Sequence, residues 1–308
     1  MTASADPERT PAHAPAGLAG ARVVSPRTVD EACRHLAEAA AAKRVAMVLA
    51  GGTDVIVDRH LAPVERAARV DLVVDLTGIE AFHAVERTRA SGEDRVVFGG
   101  GVTYWDLRTS PIVAEALPML GQMAKDVGAV QIQTRGTLAG NVASASPAAD
   151  GVAALMALDA VVHVRGAAGA RAVPLEGFLV GYRRTLLRAD EIITAIDVRV
   201  PRPGAAVAWR KVGTRSAQAI SKVALASVIE IDGGAVRRAR FGMASVAGTT
   251  HALFAVRTYL EGRAVARVDP AELEAAVSRD VQPIDDVRST GEYRLHVARV
   301  LVRRAVLG

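Results

Sequence analysis

The sequence has 308 residues, 50% of them hydrophobic, which is enough for one large or two modest domains with a hydrophobic core. The net charge is only +5, and basic residues are interspersed with acidic ones, which argues against nucleic-acid binding. No uninterrupted run of roughly 18 apolar residues occurs, so we expect no membrane span and a cytoplasmic location.

The first part of the chain predicts a tail, a helix and a strand. Residues 1–20 mix Ala, Pro, Thr and His without hydrophobic periodicity, which predicts a flexible tail. Thr28 and Glu31 have the spacing of a helix N-terminal capping box, and the Ala-rich stretch to about Ala42 predicts a helix. Residues 45–49 predict a strand that ends directly in Gly-rich residues, where the backbone must approach something closely.

The middle of the chain predicts an alternation of strands and helices. Strands are expected at 70–76, 95–98, 160–164 and 191–200. Helices are expected at 103–126, where two prolines interrupt the helix, and at 151–158. Residues 131–149 are mainly small and polar. A segment of this kind inside a compact domain is usually functional.

The last third predicts a second α+β unit. The sequence Pro-Arg-Pro-Gly at 201–204 breaks the chain, and we place a domain boundary there. Strands are expected at 207–212, 222–231 and 235–246, with a hairpin at the Asp-Gly-Gly of 232–234. Helices are expected at 250–262, 270–279 and 289–307, and the last of these has an apolar face that should pack over the sheet.

Several common motifs are missing from the sequence, and their absence argues against P-loop enzymes, standard Rossmann sites, hydrolases and zinc sites. We find no phosphate-binding P-loop, no Rossmann Gly-x-Gly-x-x-Gly, no His-Glu-x-x-His zinc motif and no Gly-x-Ser-x-Gly nucleophile motif. Cys33 is the one cysteine, on the apolar side of the first predicted helix, where a packed thiol is expected. The chain therefore cannot ligate an iron–sulfur cluster, and any such cluster must belong to a partner.

Two segments of small residues are the candidate binding elements. They are Ala-Gly-Gly-Thr-Asp at 50–54 and Thr-Leu-Ala-Gly-Asn-Val-Ala-Ser-Ala-Ser at 137–146. Small side chains let successive N–H groups converge on one anion such as a pyrophosphate. A single glycine-containing turn is more often a simple connection than a binding site. Two segments of this kind in one domain favour the binding of a dinucleotide in a fold other than the Rossmann fold. Side chains that could add hydrogen bonds are Thr53, Thr137, Asn141 and Ser144 as donors and Asp150 as an acceptor from a hydroxyl.

Five segments in this order resemble the FAD-binding subunit of molybdenum hydroxylases, the group of the carbon monoxide dehydrogenase medium subunit and the xanthine dehydrogenase flavin portion. They are AGGTD at 50–54, TRGTLAGNVASASPAAD at 134–150, GYRRTLLRADEII at 181–193, RKVGTRSAQAISKV at 210–223 and STGEYRLHVARVLVRRA at 289–305. The resemblance extends from about residue 20 to the C-terminus.

The resemblance implies an α+β fold: a two-lobed FAD-binding domain of the vanillyl-alcohol-oxidase (PCMH) type over 21–202 and a smaller C-terminal domain with an antiparallel sheet over 203–308. Neither loop contains Cys or His, so FAD should be bound without a covalent link. The residues that would surround FAD are Leu49, Ala50, Gly51, Gly52, Thr53, Asp54, Thr137, Leu138, Ala139, Gly140, Asn141, Ser144, Asp150, Ile193 and Lys211.

Individual roles follow from the same resemblance. The two loops would hold the pyrophosphate from opposite sides, Asp150 would meet the polar middle of FAD, and Ile193 would pack by the flavin or the adenine. Lys211 would lie by the isoalloxazine edge, the alternative from sequence alone being a solvated strand lysine. Ala139 departs from the paired glycines usual in the family, so the second loop could be rearranged. Tyr182 is either a flavin neighbour or an anchor of the domain core.

The implied function is electron transfer within a complex. Substrate would be oxidised at molybdopterin in a large partner subunit, and 2Fe-2S clusters in a small partner would deliver electrons to this chain, which would pass them to NAD or a quinone. A dimer of heterotrimers is the expected assembly. The alternatives are a self-sufficient flavoprotein oxidase or reductase of the same superfamily, and a non-enzymatic assembly scaffold with a vestigial flavin site.

Overall fold

A small parallel sheet forms the first lobe in the computed structural model, which describes residues 16–61, 68–90, 92–215 and 218–308. Its strand order is β1-β3-β2, with both pairs parallel. The elements are β1 (Arg22–Val24), α1 (Val29–Ala41), β2 (Ala46–Leu49), α2 (Val55–Leu61) and β3 (Leu72–Asp75), followed by 3-10 turns at Leu76–Gly78 and Glu80–His83. The glycine-rich loop 50–54 thus connects β2 to α2.

Helix α1 begins where the sequence predicts. The Thr28 hydroxyl accepts a hydrogen bond from Glu31 N, whereas the Glu31 carboxylate accepts from Arg27 N, one residue before the position that a complete capping box requires. The apolar side of the helix packs on the first sheet, and Cys33 is buried there as predicted. Burial raises the pKa of the Cys33 thiol, as expected for a packed cysteine.

A five-stranded antiparallel sheet with order β4-β5-β10-β6-β7 forms the second lobe. Its chain begins with β4 (Val85–Ala90), β5 (Glu93–Gly99), α3 (Tyr104–Thr109), α4 (Pro111–Ala116), α5 (Pro118–Lys125), α6 (Val130–Gln133), α7 (Leu138–Ser144) and α8 (Asp150–Ala157). It continues with β6 (Val161–Gly166), β7 (Gly169–Pro174), α9 (Leu175–Phe178), β8 (Leu179–Gly181), β9 (Arg184–Thr185) and β10 (Ile192–Arg199). Strands β8 and β9 form a separate hairpin.

The last part of the chain is the predicted antiparallel meander, with order β11-β12-β13-β14. Its strands are β11 (Ala206–Val212), β12 (Val223–Asp232), β13 (Ala235–Ala244) and β14 (His251–Ala252), and its helices are α10 (Phe254–Leu260), α11 (Pro270–Asp280) and α12 (Gly291–Leu307), with a 3-10 turn at Val265–Arg267. The three helices share one hydrophobic core with β12 and β13, and α12 contacts β12 as predicted.

Strand β12 is buried on both faces, and its side chains alternate between two cores. Val223 and Leu225 belong to the core under α10–α12, whereas Ala224 and Ala226 belong to the core of the second lobe. The opposite face of this sheet is covered by α8, whose eight residues are all buried. The core of the second lobe therefore contains residues from both sides of the boundary predicted at 202, and that boundary remains a prediction.

Two sequence expectations differ from the structure. The segment 131–149 contains two short helices, because its small residues tolerate helical backbone as readily as a loop. Residues 1–15 of the predicted tail lie outside the described residues, but Ala16 is buried and its N–H donates to Arg59 O at 3.2 Å. The end of that tail is therefore packed against the first lobe. Among the described residues, no helix combines the length and hydrophobicity needed to cross a membrane.

Candidate functional site

The two glycine-containing segments line one cavity of roughly 430 Å³ between the two lobes. Eleven residues that the sequence assigned to FAD lie on its wall: Ala50, Gly51, Gly52, Thr53, Asp54, Thr137, Ala139, Gly140, Asn141, Ser144 and Ile193. The remaining four, which are Leu49, Leu138, Asp150 and Lys211, do not line it. The fold thus brings together two segments that are more than 80 residues apart in the sequence.

In the first loop, the two glycines are required for different reasons. A Cβ on Gly51 would lie 1.9 Å from Arg135 O, so the missing side chain lets this loop contact the backbone before the second segment. Gly52 has φ +75°, in the left-handed region where a Cβ is strained. The N–H groups of Gly51, Gly52, Thr53 and Asp54 form no hydrogen bond with any described residue. They are therefore available to an anion in the cavity.

In the second segment, α7 begins at Thr137, whose hydroxyl accepts from Gly140 N at 2.9 Å. Leu138 N donates to Val102 O and Asn141 N donates to Thr137 O, so these three N–H groups already have acceptors. These three hydrogen bonds form the start of α7, and the expectation that this segment holds the pyrophosphate stays a prediction. Ala139 has no positive φ, so its methyl group fits the helical backbone without rearrangement.

Leu49 and Leu138 support the two segments instead of forming the cavity wall. Leu49 ends β2, and its side chain lies 3.2 Å from the position of a Cβ on Gly52. Leu138 is fully buried in the core of the second lobe. Each leucine therefore packs behind the segment to which it belongs, on the side away from the cavity.

Asp150 and Lys211 form a buried ion pair between α8 and β11. Lys211 Nζ donates to Asp150 Oδ2 at 2.6 Å and to Asp126 O at 2.8 Å, and Ser221 Oγ donates to Asp150 Oδ1 at 2.5 Å. Burial raises the pKa of the Asp150 carboxyl, while Lys211 and Ser221 oppose this shift. The solvated alternative for Lys211 is therefore wrong. The roles of both residues toward FAD stay predictions.

The sequence reasoning missed several residues of the cavity wall, among them Tyr104, Arg183 and Asp58. Tyr104, the first residue of α3, lines the cavity, but its hydroxyl is buried, and no described residue forms a hydrogen bond with it. Arg183 on the β8–β9 hairpin donates to Asp58 of α2 at 2.5 Å, and both residues line the cavity. The three glycines at 99–101 before α3 were the available signal for Tyr104, because they bring this part of the chain close to Phe82 and Ile193.

Tyr182 does not anchor the core, since 68% of the residue is exposed on the hairpin. It is also not among the described residues that line the cavity. Its neighbour Arg183, in the turn between β8 and β9, contributes to the wall in its place.

The chemistry of the wall fits a flavin dinucleotide. The first segment contributes the N–H groups of residues 51–54, which form no hydrogen bond with described residues, and the second segment contributes the side chains of Asn141 and Ser144. Apolar residues that could pack on an aromatic ring system are Val48, Leu76, Ile192 and Ile193. In the described part of the chain, no group of three or more His, Cys, Asp or Glu side chains is arranged to hold a metal ion.

Comparison with known families agrees with this geometry. Residues 19–203 match the family model described as the FAD binding domain in molybdopterin dehydrogenase. The chain belongs to this family. Residues 208–308 match the model of the CO dehydrogenase flavoprotein C-terminal domain. This FAD-binding family is one of oxidoreductase subunits, and the prediction of the family and of FAD as the cofactor is confirmed.

Similar proteins include medium subunits of known dehydrogenases. The carbon monoxide dehydrogenase medium chain of Hydrogenophaga pseudoflava is 28% identical and covers 92% of this chain and 94% of its own. The nicotine 6-hydroxylase medium subunit of Paenarthrobacter nicotinovorans is 28% identical over 94% of this chain and 97% of its own.

Solved structures confirm the fold. The carbon monoxide dehydrogenase structure from Hydrogenophaga pseudoflava matches with a TM-score of 0.84 at 28% identity, covering 92% of this chain and 95% of that one. The structure of quinoline 2-oxidoreductase from Pseudomonas putida 86 matches with a TM-score of 0.78 at 22% identity and supports the fold alone. The predicted α+β class, with a PCMH-type FAD-binding part and an antiparallel C-terminal sheet, is therefore confirmed.

Proposed function

We propose that this chain binds FAD in the cavity between its lobes and is the electron-exit subunit of a molybdenum hydroxylase. In this proposal, electrons reach it from 2Fe-2S clusters of a small partner subunit, and the chain passes them to an external acceptor such as NAD or a quinone. The observation that carries the proposal is a single cavity lined by both predicted segments, with the free N–H groups of 51–54 at one side.

The residues of this chain would position FAD, which supplies the redox chemistry when bound. The N–H groups of Gly51, Gly52, Thr53 and Asp54 would donate to the pyrophosphate. Asn141 and Ser144 would add polar side chains from the second segment. The apolar wall would exclude water from the ring system and pack against it.

Asp150 and Lys211 would act behind the cavity wall. The opposite charges of Asp150 and Lys211 largely cancel, and both side chains belong to a buried hydrogen-bond network that includes Ser221. An ion pair at this depth fixes the electrostatic potential under the cavity with little screening by salt. We propose that it supports the site in this way and not as a direct ligand, because both Asp150 oxygens already accept hydrogen bonds.

The proposed partners are a large molybdopterin-binding subunit and a small 2Fe-2S subunit, in a dimer of heterotrimers. The support is twofold. Similar proteins are named as medium chains or subunits of carbon monoxide dehydrogenase and nicotine 6-hydroxylase. In addition, this chain has one cysteine, so it cannot provide the thiolates of a cluster.

The test is the flavin content of the purified chain. We expect one FAD per chain, released completely into solution by acid denaturation, because the cavity wall offers neither Cys nor His for a covalent bond. The released flavin is identified as FAD or FMN by chromatography. A chain that is colourless and does not bind added FAD would contradict the proposal, and colour retained by the precipitated polypeptide would contradict the non-covalent mode.

A further inference from the structure

Three large apolar side chains are exposed beside the cavity, on the neighbouring helices α3 and α6. They are Trp105, Val130 and Ile132, with exposed fractions of 38%, 51% and 38%. We call these three residues the α3–α6 patch. The two helices are in contact, and Ile132 also lines the cavity, so the patch continues into the cavity wall. Exposed apolar residues that are grouped in this way are typical of a binding surface.

The patch is held in a fixed position from below. The buried Gln133 side chain accepts a hydrogen bond from Arg108 of α3 and donates to two backbone carbonyls at and just after the end of α5, at 3.3 and 2.9 Å. Gly128 has φ +52°, and a Cβ on it would lie 2.8 Å from Ile132 Cβ, so the glycine lets the chain before α6 pack directly on Ile132. A preformed surface of this kind loses little conformational entropy when a partner binds.

Basic side chains surround the patch. The Arg108 guanidinium lies over the Trp105 ring, with its central carbon 4.9 Å from the ring centroid. Lys125 and Arg135 are exposed in the segments on either side of α6. None of these three cations forms an ion pair with a carboxylate in the described part of the chain. We call them the rim cations.

Two carboxylates of the same segments are engaged elsewhere. Asp106 accepts from Thr103 N and Oγ1 at the start of α3, and Asp126 accepts from Trp209 Nε1 at 2.7 Å. Both are half-buried, so neither is presented to a partner beside the rim cations. The surface therefore has an apolar centre and a basic rim, which fits an acidic partner with an apolar contact.

The position of the patch relative to the cavity indicates which partner this is. Val127, just before α6, lines the cavity, and the carbonyl of Asp126 accepts from Lys211, the residue predicted by the isoalloxazine edge. The patch is thus next to the end of the cavity where the flavin ring is expected. Electron transfer slows steeply with distance, so a partner that reduces the flavin has to dock near this end. A 2Fe-2S cluster with thiolate ligands carries a net negative charge, which matches the basic rim.

We propose that the α3–α6 patch is the docking surface for the small 2Fe-2S subunit. This inference rests on the proposed function and adds to it the surface through which electrons enter the chain. Trp105 is the central anchor, because a tryptophan fixed on a rigid helix is typical of the residues that dominate an interface. The rim cations steer the partner and set its orientation.

The experiment co-expresses the tagged full chain with the small subunit and measures iron per chain after affinity purification. Val130→Asp places a charge in the patch without touching the cavity wall, and an aspartate suits the first residue of α6. We expect the affinity for the small subunit to fall about tenfold, so that most of the iron is lost on washing. FAD content and the thermal midpoint of the chain should match wild type. Trp105→Ala should lose iron in the same way.

Val287→Asp is the matched control, since Val287 is fully exposed on a turn of the C-terminal part. It makes the same chemical change outside the patch and should retain iron like wild type. Lys125→Glu and Lys43→Glu form a second pair with equal charge changes, because Lys43 is exposed after α1 in the first lobe. Only Lys125→Glu should lose iron, and the loss in wild type should grow with salt concentration.

The other outcomes contradict the inference in distinguishable ways. Equal iron retention in Val130→Asp and Val287→Asp would show that the small subunit docks elsewhere. If Val130→Asp instead changes the oligomeric state of the chain alone, measured by light scattering, and keeps its iron, the patch binds a second copy and the inference is wrong. A wild-type chain that holds FAD but no iron would overturn the docking surface alone, whereas one that binds no FAD would overturn the proposed function itself.

Discussion

At the scale of single residues, the site depends on positions where a side chain cannot be added. Gly51 is fixed by a contact within the protein, since its Cβ would overlap Arg135 O. Gly52 is fixed by its backbone conformation, and the nearest atoms to its Cβ are side-chain carbons of Leu49 and Ile56 at 3.2 and 3.4 Å. A substitution at Gly52 should therefore affect the loop while leaving the contact between the two segments intact.

Gly52→Val should lose most of its FAD affinity and keep its overall fold. A branched residue at this positive φ costs roughly 1–2 kcal/mol, so the loop moves and its free N–H groups no longer converge. The measurements are the Kd for FAD and the far-UV circular dichroism spectrum. The control is Gly181→Val, because Gly181 has open space around its Cβ and no positive φ. Full flavin occupancy in Gly52→Val would show that this loop does not bind the cofactor.

Asp286 in the C-terminal part should make stability depend on pH. Hydrogen bonds from Arg288, and then from the buried Arg294, hold its pKa well below the ordinary value. Since the pKa is lowered in the folded state, the stabilisation is present above the ordinary carboxyl pKa and is lost as pH falls toward the folded value.

Asp286→Asn should therefore lower the free energy of unfolding by about 2 kcal/mol at pH 7, chiefly because Arg294 is left buried beside a neutral group. The difference from wild type should shrink steadily as pH falls below about 4. Urea unfolding of both proteins at several pH values from 3 to 7 measures this difference in the free energy of unfolding. A difference that stays constant over this range would contradict the assignment of the ion pair.

At the scale of elements, α7 shows how the second segment is held in place. Thr137 caps this helix through Gly140 N, and a Cβ on Gly140 would lie 2.8 Å from Thr137 Oγ1. The glycine therefore gives the capping hydroxyl its space. The segment that the sequence suggests as a loop of small residues is a short helix with a defined start.

Thr137→Ala should destabilise the chain by about 1 kcal/mol, the usual effect of losing an N-cap. It should also weaken FAD binding, because α7 carries Asn141 and Ser144 on the cavity wall. Thr137→Ser keeps the hydroxyl and serves as the control, with nearly unchanged stability. Chemical unfolding and FAD titration of the three proteins decide between these outcomes, and equal stability of all three would contradict the capping role.

The sequence could predict those elements whose apolar pattern is strong. The strands expected at 45–49 and 235–246 and the helix expected at 270–279 lie within a few residues of β2, β13 and α11. Strand β4 was missed, because its sequence Val-Glu-Arg-Thr-Arg-Ala is largely exposed and lacks an apolar face. Strand β1 has three residues, which is too short for a period to appear.

The candidate site was predictable only in part, because some of its features depend on contacts between distant parts of the chain. Glycine-rich segments can be found in a sequence because they are local, and eleven of the fifteen residues proposed from them and from the resemblance line the cavity. The place of Tyr104 on the cavity wall is not local, since it depends on how the fold brings α3 to the two segments. Likewise, the pairing of Asp150 with Lys211 depends on how β11 meets α8.

At the scale of the whole molecule, α8 joins the cavity to the C-terminal sheet. Its first residue, Asp150, pairs with Lys211 of β11, and its second, Gly151, leaves room for Tyr104 and Asn141. On its other side, a Cβ on Gly242 of β13 would lie 2.0 Å from Ala153 O, so the helix and the sheet are in close backbone contact. The C-terminal part therefore fixes α8, which packs behind the cavity residues of α7.

The proposed place of this chain in an electron-transfer complex leads to a direct requirement on the isolated subunit. The chain has one cysteine, which is buried, and its described residues contain no metal-binding cluster. In the proposed function, the organic substrate is oxidised on a partner and not on this chain. The isolated chain should hold a flavin that a chemical reductant can reduce and that the substrate cannot.

The most direct measurement is anaerobic flavin absorbance after mixing with a purine, an aldehyde, carbon monoxide or an N-heterocycle. It is made on the FAD-loaded subunit alone and on the complex co-expressed with the proposed large and small subunits. We expect no loss of flavin absorbance in the subunit alone and rapid loss in the complex with the one substrate it oxidises. Rapid loss in the isolated subunit would contradict the account, because the chain would then be a self-sufficient flavoenzyme.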